Sequence, residues 1–293
     1  MINLTYNPND YNENFYQIID LLKNKSIAFY DSEFIRNKIG DREVFEIIQV
    51  GITAQVPNND LSLNVKHNVK IPPREQILLS INKDGYSQTG DKFELVYSKI
   101  TDWIEQNNID YIVAFSFGED IEILKKECNN YNLSYHSCFN NFIDIFKLFK
   151  SYYNIHDVSL KNLCYLYDIE LDPRFIKKSH EALSDAINTK LFCEYFINNI
   201  SNTKYSQDYI RGFIFAYFKF DSYTKKNLKT IKQKELYSLS HPKSLNLNRN
   251  NLFNNLNKDI MQFILIKSIP DNQINNSSFI TGFNYALKKL FLE

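Results

Sequence analysis

Apolar positions along the chain recur with two different periods, and the switches between them mark out its elements. Asn14–Leu22 carries a helical spacing near the N-terminus. Ser26–Tyr30 is a short apolar run that ends on acidic residues, and Phe45–Gln55 (FEIIQVGITAQ) is β-branched and long enough for a central strand. Leu63–Ile71 alternates, which predicts a third strand closing an antiparallel meander, and Pro72–Pro73 ends it. In Phe93–Gln106 the residues Phe93, Val96, Ile100, Trp103 and Ile104 fall on one helical face. Tyr111–Phe115 (YIVAF) reads as a buried strand, and Glu119–Tyr131, Phe142–Tyr152, Ser159–Tyr167 and His180–Ile200 read as helices. Three strands, a helix, a strand and then helices predict a mixed α/β domain over 1–200 with a partly antiparallel sheet. The polar segment Asn198–Tyr205 sets off a smaller, mainly α unit over 205–293.

That second unit holds an Asn-rich stretch, Leu245–Lys258, which reads as a loop plus a polar helix, and a faint internal echo. Tyr209-Ile-Arg-Gly-Phe-Ile-Phe-Ala216 resembles Phe279-Ile-Thr-Gly-Phe-Asn-Tyr-Ala286. Both contain Gly-x-x-x-Ala, and small residues four apart let two helices approach closely. The spacing is also similar to that of the paired interface helices of LAGLIDADG homing endonucleases. Aromatic and aliphatic residues stand where that chemistry requires acids, so helix packing is the reading the echo supports.

Composition narrows the class. The 293 residues are 44% hydrophobic and 15% aromatic, enough for a buried core, with only 7 Gly and 7 Pro. Cys128, Cys138, Cys164 and Cys193 have no C-x-x-C spacing and read as reduced thiols of a cytoplasmic protein. The opening MINLTYNPNDYNEN lacks the basic-then-apolar pattern of a secretory signal, and no apolar run approaches the roughly 20 residues that span a bilayer. A soluble chain with no membrane partner is therefore expected. Formal net charge is zero, but residues 1–200 carry 20 basic and 28 acidic side chains, net −8, whereas 201–293 carry 14 and 6, net +8. In the basic half, Tyr205, Tyr209, Phe213, Tyr217 and Tyr223 precede Lys225, Lys226, Lys229, Lys232 and Lys234. Such a surface can track a phosphate backbone, or dock on the acidic half or on a partner protein.

Candidate chemistry lies in the acidic half. Asp31 and Glu33 end the first strand, and at period two both carboxylates point to one face. Like charges so close are unfavourable without a positive partner, for which a divalent cation with oxygen ligands is suited. Asp120 opens a helix directly after the strand YIVAF; Glu119 competes by position, but the spacing of Ile121 and Leu124 places Asp120 beside the core. His180 lies at the start of the last long helix after Ser179, a suitable N-cap, and Asp185 abuts the apolar face formed by Ala182, Leu183, Ala186, Ile187 and Leu191.

Asp31-x-Glu33 on a first strand, an Asp after a later buried strand and His180-x-x-x-x-Asp185 on a late helix together resemble the DEDDh 3′→5′ exonucleases. Those enzymes have a ribonuclease-H-like fold, a mixed α/β sheet flanked by helices. FEIIQVG is similar to their EIIxIG second strand and HEALSDA to their third motif, so the resemblance covers about 26–200. His five residues before the last Asp favours the DEDDh over the DEDDy branch, and the middle region looks most like the histone-mRNA exonuclease and KapD group. There a W-G-x-x-D pattern precedes the second Asp, and Phe117-Gly118-Glu119-Asp120 is one residue shorter.

The resemblance implies two Mg²⁺ or Mn²⁺ ions and a single-stranded RNA or DNA substrate shortened from its 3′ end to nucleoside 5′-monophosphates. By it, Asp31 bridges the ions, Glu33 and Asp185 complete one site, Asp120 holds the other, and His180 deprotonates the attacking water, as its near-neutral pKa suits. Lys177 and Lys178 are placed to meet a substrate phosphate, or are a solvated basic turn. Phe34 and Phe117 are placed to stack on the terminal base, or are core. Two further readings stay open: a nucleic-acid-binding module whose catalysis has lapsed, and a nuclease subunit delivered to a larger complex by the basic tail.

Overall fold

A computed structural model describes residues 8–39, 42–55, 60–67, 90–116, 118–155, 157–174, 181–226 and 276–292. The elements are, in chain order, α1 (Pro8–Glu13), α2 (Phe15–Asn24), β1 (Ile27–Ile39), β2 (Arg42–Ala54), β3 (Leu61–Asn64), α3 (Phe93–Gln106), β4 (Tyr111–Ala114) and α4 (Gly118–Asn130). A 3₁₀ turn (Ser137–Asn140) leads to β5 (Phe142–Asp144), α5 (Ile145–Tyr153), α6 (Leu160–Leu166), α7 (Ala182–Asn199), α8 (Gln207–Lys226) and α9 (Ser277–Leu292). These residues fall into two compact units, one within Met1–Tyr152 and Ile169–Asn198, the other within Tyr153–Asp168 and Asn199–Glu293.

The first unit is built on a five-stranded sheet of order β3-β2-β1-β4-β5. Strands β1, β2 and β3 form the antiparallel meander, while β4 and β5 run parallel to β1. This is the mixed sheet flanked by helices that the sequence predicts. Helix α3 keeps the expected bounds, and its buried Phe93, Val96, Ile100, Trp103 and Ile104 cover one sheet face together with Ile121, Leu124 and Cys128 of α4. On the other face, rings from α2, α5 and α7 interlock: Phe15 meets Phe196 at 6.4 Å, and Phe149 meets Phe192 and Phe196 at 5.3 and 5.1 Å. Large aromatic areas removed from water, packed edge to face, hold this layer.

The structure departs from the sequence reading in three places. Strand β1 does not end at the Asp31–Glu33 pair but runs on to Ile39, because β2 pairs with it along the whole length. Phe142–Asp144, read as the start of a helix, is a strand paired with β4; a short apolar run carries no period that separates strand from helix. The third strand begins at Leu61 rather than Leu63 and ends at Asn64, after which Val65 bridges Asp91; residues 68–71 lie outside the described residues.

In the second unit α8 and α9 cross at their glycines. A Cβ on Gly212 would lie 2.0 Å from the Phe279 carbonyl oxygen, and one on Gly282 would lie 1.9 Å from that of Tyr209. The contact is reciprocal, since Tyr209 and Phe279 each precede their own helix's glycine by three residues. Ala216 and Ala286, four residues after each glycine, are fully buried. The sequence echo is thus a helix-packing motif. Tyr205, Tyr209, Phe213 and Tyr217 are buried, so core packing rather than base stacking occupies them. The side chains of Tyr223, Lys225 and Lys226, and the whole of Lys229, Lys232 and Lys234, lie outside the described residues. Among the described residues no helix is long and apolar enough to cross a membrane.

Gly212→Ala puts a methyl into backbone, which cannot rotate away as a side chain can. It is expected to destabilise the protein by about 1–3 kcal/mol, the ordinary cost of overpacking. Denaturant unfolding checks this, and an unchanged midpoint contradicts the close crossing.

Candidate active site

Strand alternation sets the site. Asp31 and Glu33 lie on one face of β1, opposite Gly51 and Gln49 of β2. Beyond them the register shifts, leaving Ile48 as a bulge between Glu33–Gln49 and Phe34–Ile47. Helix α7 is laid onto this face: a Cβ at Gly51 would lie 2.2 Å from Ala182 C and from Leu183 N, so only glycine admits the helix backbone there. Beside it, the Gln49 side-chain oxygen accepts from the Ala182 N–H at 3.0 Å, and Gln49 Nε2 donates to Asn64 at 3.3 Å. One of the first N–H groups of α7, which has no partner within the helix, is thus satisfied from the strand pair carrying the acids. At the same helix start, Asp172 accepts from Arg174 at 2.9 and 3.0 Å and from Ser184 at 3.3 Å, and its own N–H donates to Asn188.

With α7 fixed, Asp185 in its first turn reaches across to the strand. Oxygens of Asp31, Glu33 and Asp185 come within 4.8 Å of one another, all three half-buried. Desolvation, then the charges of Asp185, Glu33 and Asp120, hold the Asp31 carboxyl well above the usual range. Desolvation followed by Asp185 and Asp120 pushes Glu33 up to about 9. Desolvation, with Glu181, pushes Asp185 up to about 7. Three oxygen-donor acids that resist losing their protons together are a donor set suited to a hard divalent cation, which supplies the missing positive charge.

Asp120, in the first turn of α4, is not one of the three. It is buried, and its Oδ1 accepts a hydrogen bond from Ser32 on the opposite face of β1, while its charge still reaches Asp31 and Glu33. The turn before it is fixed by Asp144, which is 1% exposed and accepts from the N–H groups of Ser116 at 3.2 Å and Lys147 at 3.0 Å. Ser116 holds a left-handed φ of 60° there. Phe34 packs against the core cluster, edge-on to Phe45 with the Arg36 guanidinium 5.5 Å from its ring centre. Phe117, Lys177, Lys178 and His180 lie outside the described residues. Sequence reasoning named the acids but missed what holds them: Gln49, Gly51, Ser32 and Asp144. Gly51 and Gln49 were within reach, because once β2 is paired antiparallel with β1 they face the D-x-E pair.

Above the unfolded-chain pKa of about 4, the folded protein holds protons on this trio that the unfolded chain releases, up to about 7 for Asp185 and about 9 for Glu33. Folding stability therefore falls as pH rises through that window. In chelator the melting temperature is expected to drop between about pH 5 and pH 9, more gently in Asp185→Asn, and Mn²⁺ added near the alkaline end should recover it. A melting temperature in chelator that climbs over that range contradicts the crowding of acids.

Known proteins resemble the chain in fold and in sequence family. The crystal structure of cell-death related nuclease 4 (CRN-4) is similar at a TM-score of 0.50 and 18% identity, covering 59% of this chain and 64% of that one. A full-length 3′-exonuclease gives a TM-score of 0.49 at 16% identity, with 61% of each chain covered. The Mg²⁺- and Mn²⁺-bound form of S. pombe Pop2p gives 0.44 at 16% identity, over 67% of this chain and 91% of that one. The chain thus spans less than two thirds of the first two structures. At these identities the likeness to CRN-4 speaks for the shared fold alone, the ribonuclease-H-like exonuclease fold. No curated protein matches the chain. Residues 28–192, more than half of the 293 and the stretch from β1 into α7, match the RNase_T family model, described as Exonuclease, and the chain belongs to that family.

Proposed function

We propose that the chain is a DEDDh-type, metal-dependent 3′→5′ exonuclease that shortens single-stranded RNA or DNA and releases nucleoside 5′-monophosphates, akin to the histone-mRNA exonuclease and KapD group. The observation that carries this reading is the convergence of Asp31, Glu33 and Asp185 from β1 and α7, with protonation favoured on all three. In a family of exonucleases, such a cluster is where a phosphodiester is expected to meet its divalent cations.

Two Mg²⁺ or Mn²⁺ ions bound there would supply the Lewis acidity that activates water and offsets charge on the phosphoryl and leaving oxygens. Asp31 is assigned between the two positions, Glu33 and Asp185 to one of them and Asp120 to the other. Gln49 and Gly51 orient Asp185 by fixing the start of α7. His180, five residues before Asp185, takes the proton of the attacking water on an imidazole nitrogen. Lys177 and Lys178 meet a substrate phosphate, and Phe34 and Phe117 meet the terminal base. The basic unit over 205–293 is assigned to holding nucleic acid or a protein partner. A cytoplasmic location is part of this reading, supported by four cysteines that are free and buried.

The test is degradation of 5′-labelled single-stranded RNA and DNA in Mg²⁺ or Mn²⁺. A ladder that shortens from the 3′ end is expected, abolished in Asp31→Ala and by EDTA, and slowed about 10²–10⁴-fold in His180→Ala, the usual loss of a general base. Tight binding of either strand without cleavage overturns the enzyme reading and leaves a binding module.

A further inference from the structure

Ser32 sits between the two acids of the D-x-E pair but faces the opposite side of β1. Its hydroxyl donates to Asp120 Oδ1 at 2.5 Å, and both residues are buried, at 5% and 9% exposure. Apolar contacts from Ile121 and Leu124 hold α4 in the core cluster, yet such contacts are non-directional and do not aim a carboxylate. A hydrogen bond does, and a carboxylate this buried needs a donor to offset its lost hydration. Among the described residues one such donor is Ser32, whose Cα lies about 3.8 Å from those of both Asp31 and Glu33. Tyr30, two residues back on the same strand face and fully buried, lies against Ser32.

We propose that Ser32 is a positioning residue: its hydroxyl fixes the Asp120 carboxylate in register with Asp31, so that the acid from α4 can serve the same metal centre as the acids from β1 and α7. This rests on the metal-ion reading above. A β-hydroxyl is required, because threonine places an oxygen where serine does, whereas alanine has none and a cysteine thiol is a weak donor. The middle position of the D-x-E pair then joins two faces of the sheet that strand alternation would otherwise keep apart.

The experiment is calorimetric titration of the full chain with Mn²⁺, comparing wild type, Ser32→Ala, Ser32→Thr and Asp120→Asn, with the melting temperature of each. Asp120→Asn identifies the binding phase that depends on Asp120. Ser32→Ala is expected to weaken that phase about 10–100-fold, as loss of a residue orienting a metal ligand does, and to leave the other phase unchanged. Ser32→Thr is expected to bind as the wild type does. Should Ser32→Ala not fold, Ser32→Cys takes its place, with the weak phase again expected and Ser32→Thr the rescue. A Ser32→Ala protein that binds both ions normally, or a Ser32→Thr protein as impaired as the deletion of the hydroxyl, overturns the proposal and leaves the exonuclease reading standing. A wild-type chain that binds no Mn²⁺ overturns both.

Discussion

The backbone of Ala182 and Leu183 passes so close to Gly51 that a methyl there would lie 2.2 Å from each. Everything chemical in the first unit depends on that approach. It sets α7 against β2 at the rung opposite Asp31, and the Gln49 side chain locks the helix start at the rung opposite Glu33. Asp185 is then carried into a position that three carboxylates would not choose. Aromatic packing among Phe15, Phe149, Phe192 and Phe196 holds α7 down while its first turn sits among like charges. The cost is borne by the carboxyls, with desolvation and neighbouring charge pushing Glu33 up to about 9 and Asp185 to about 7. Strain of this kind is what a fold stores when a partner of opposite charge is meant to relieve it.

The acids were legible in the sequence because their spacing encodes geometry directly: period two aims Asp31 and Glu33 together, and helical spacing sets Asp185 beside its apolar face. Strand and helix identities followed from the same periods where a segment was long, as in α3, and failed where it was short, as in β5. The supports were harder to read. Ser32 looks like an interval between two acids, and its role exists only once α4 brings Asp120 to the other face of the strand. Asp144 looks like any acid in the first turn of a helix, yet it is nearly fully buried and holds the turn at Ser116. Both act through contacts distant in sequence, 88 residues apart for Ser32 and Asp120, and no local pattern announces such a pair.

The second unit shows how one short pattern can serve packing alone. Gly212 and Gly282 place two helices in backbone contact, and each lies against the residue three before the other's glycine. Sequence similarity between the two segments therefore reflects a shared steric task, with Phe213, Tyr217 and Phe283 filling the space around the crossing. The aromatics that interleave with basic residues in the sequence are largely consumed in this core.

The central claim, that Asp31, Glu33 and Asp185 converge to hold a divalent cation, is tested most directly by anomalous scattering from crystals of the full chain grown with Mn²⁺. A peak bounded by oxygens of all three carboxylates, absent from Asp185→Asn crystals, is the predicted result. Manganese bound elsewhere, or a trio whose carboxylates have moved apart with no ion between them, would contradict it.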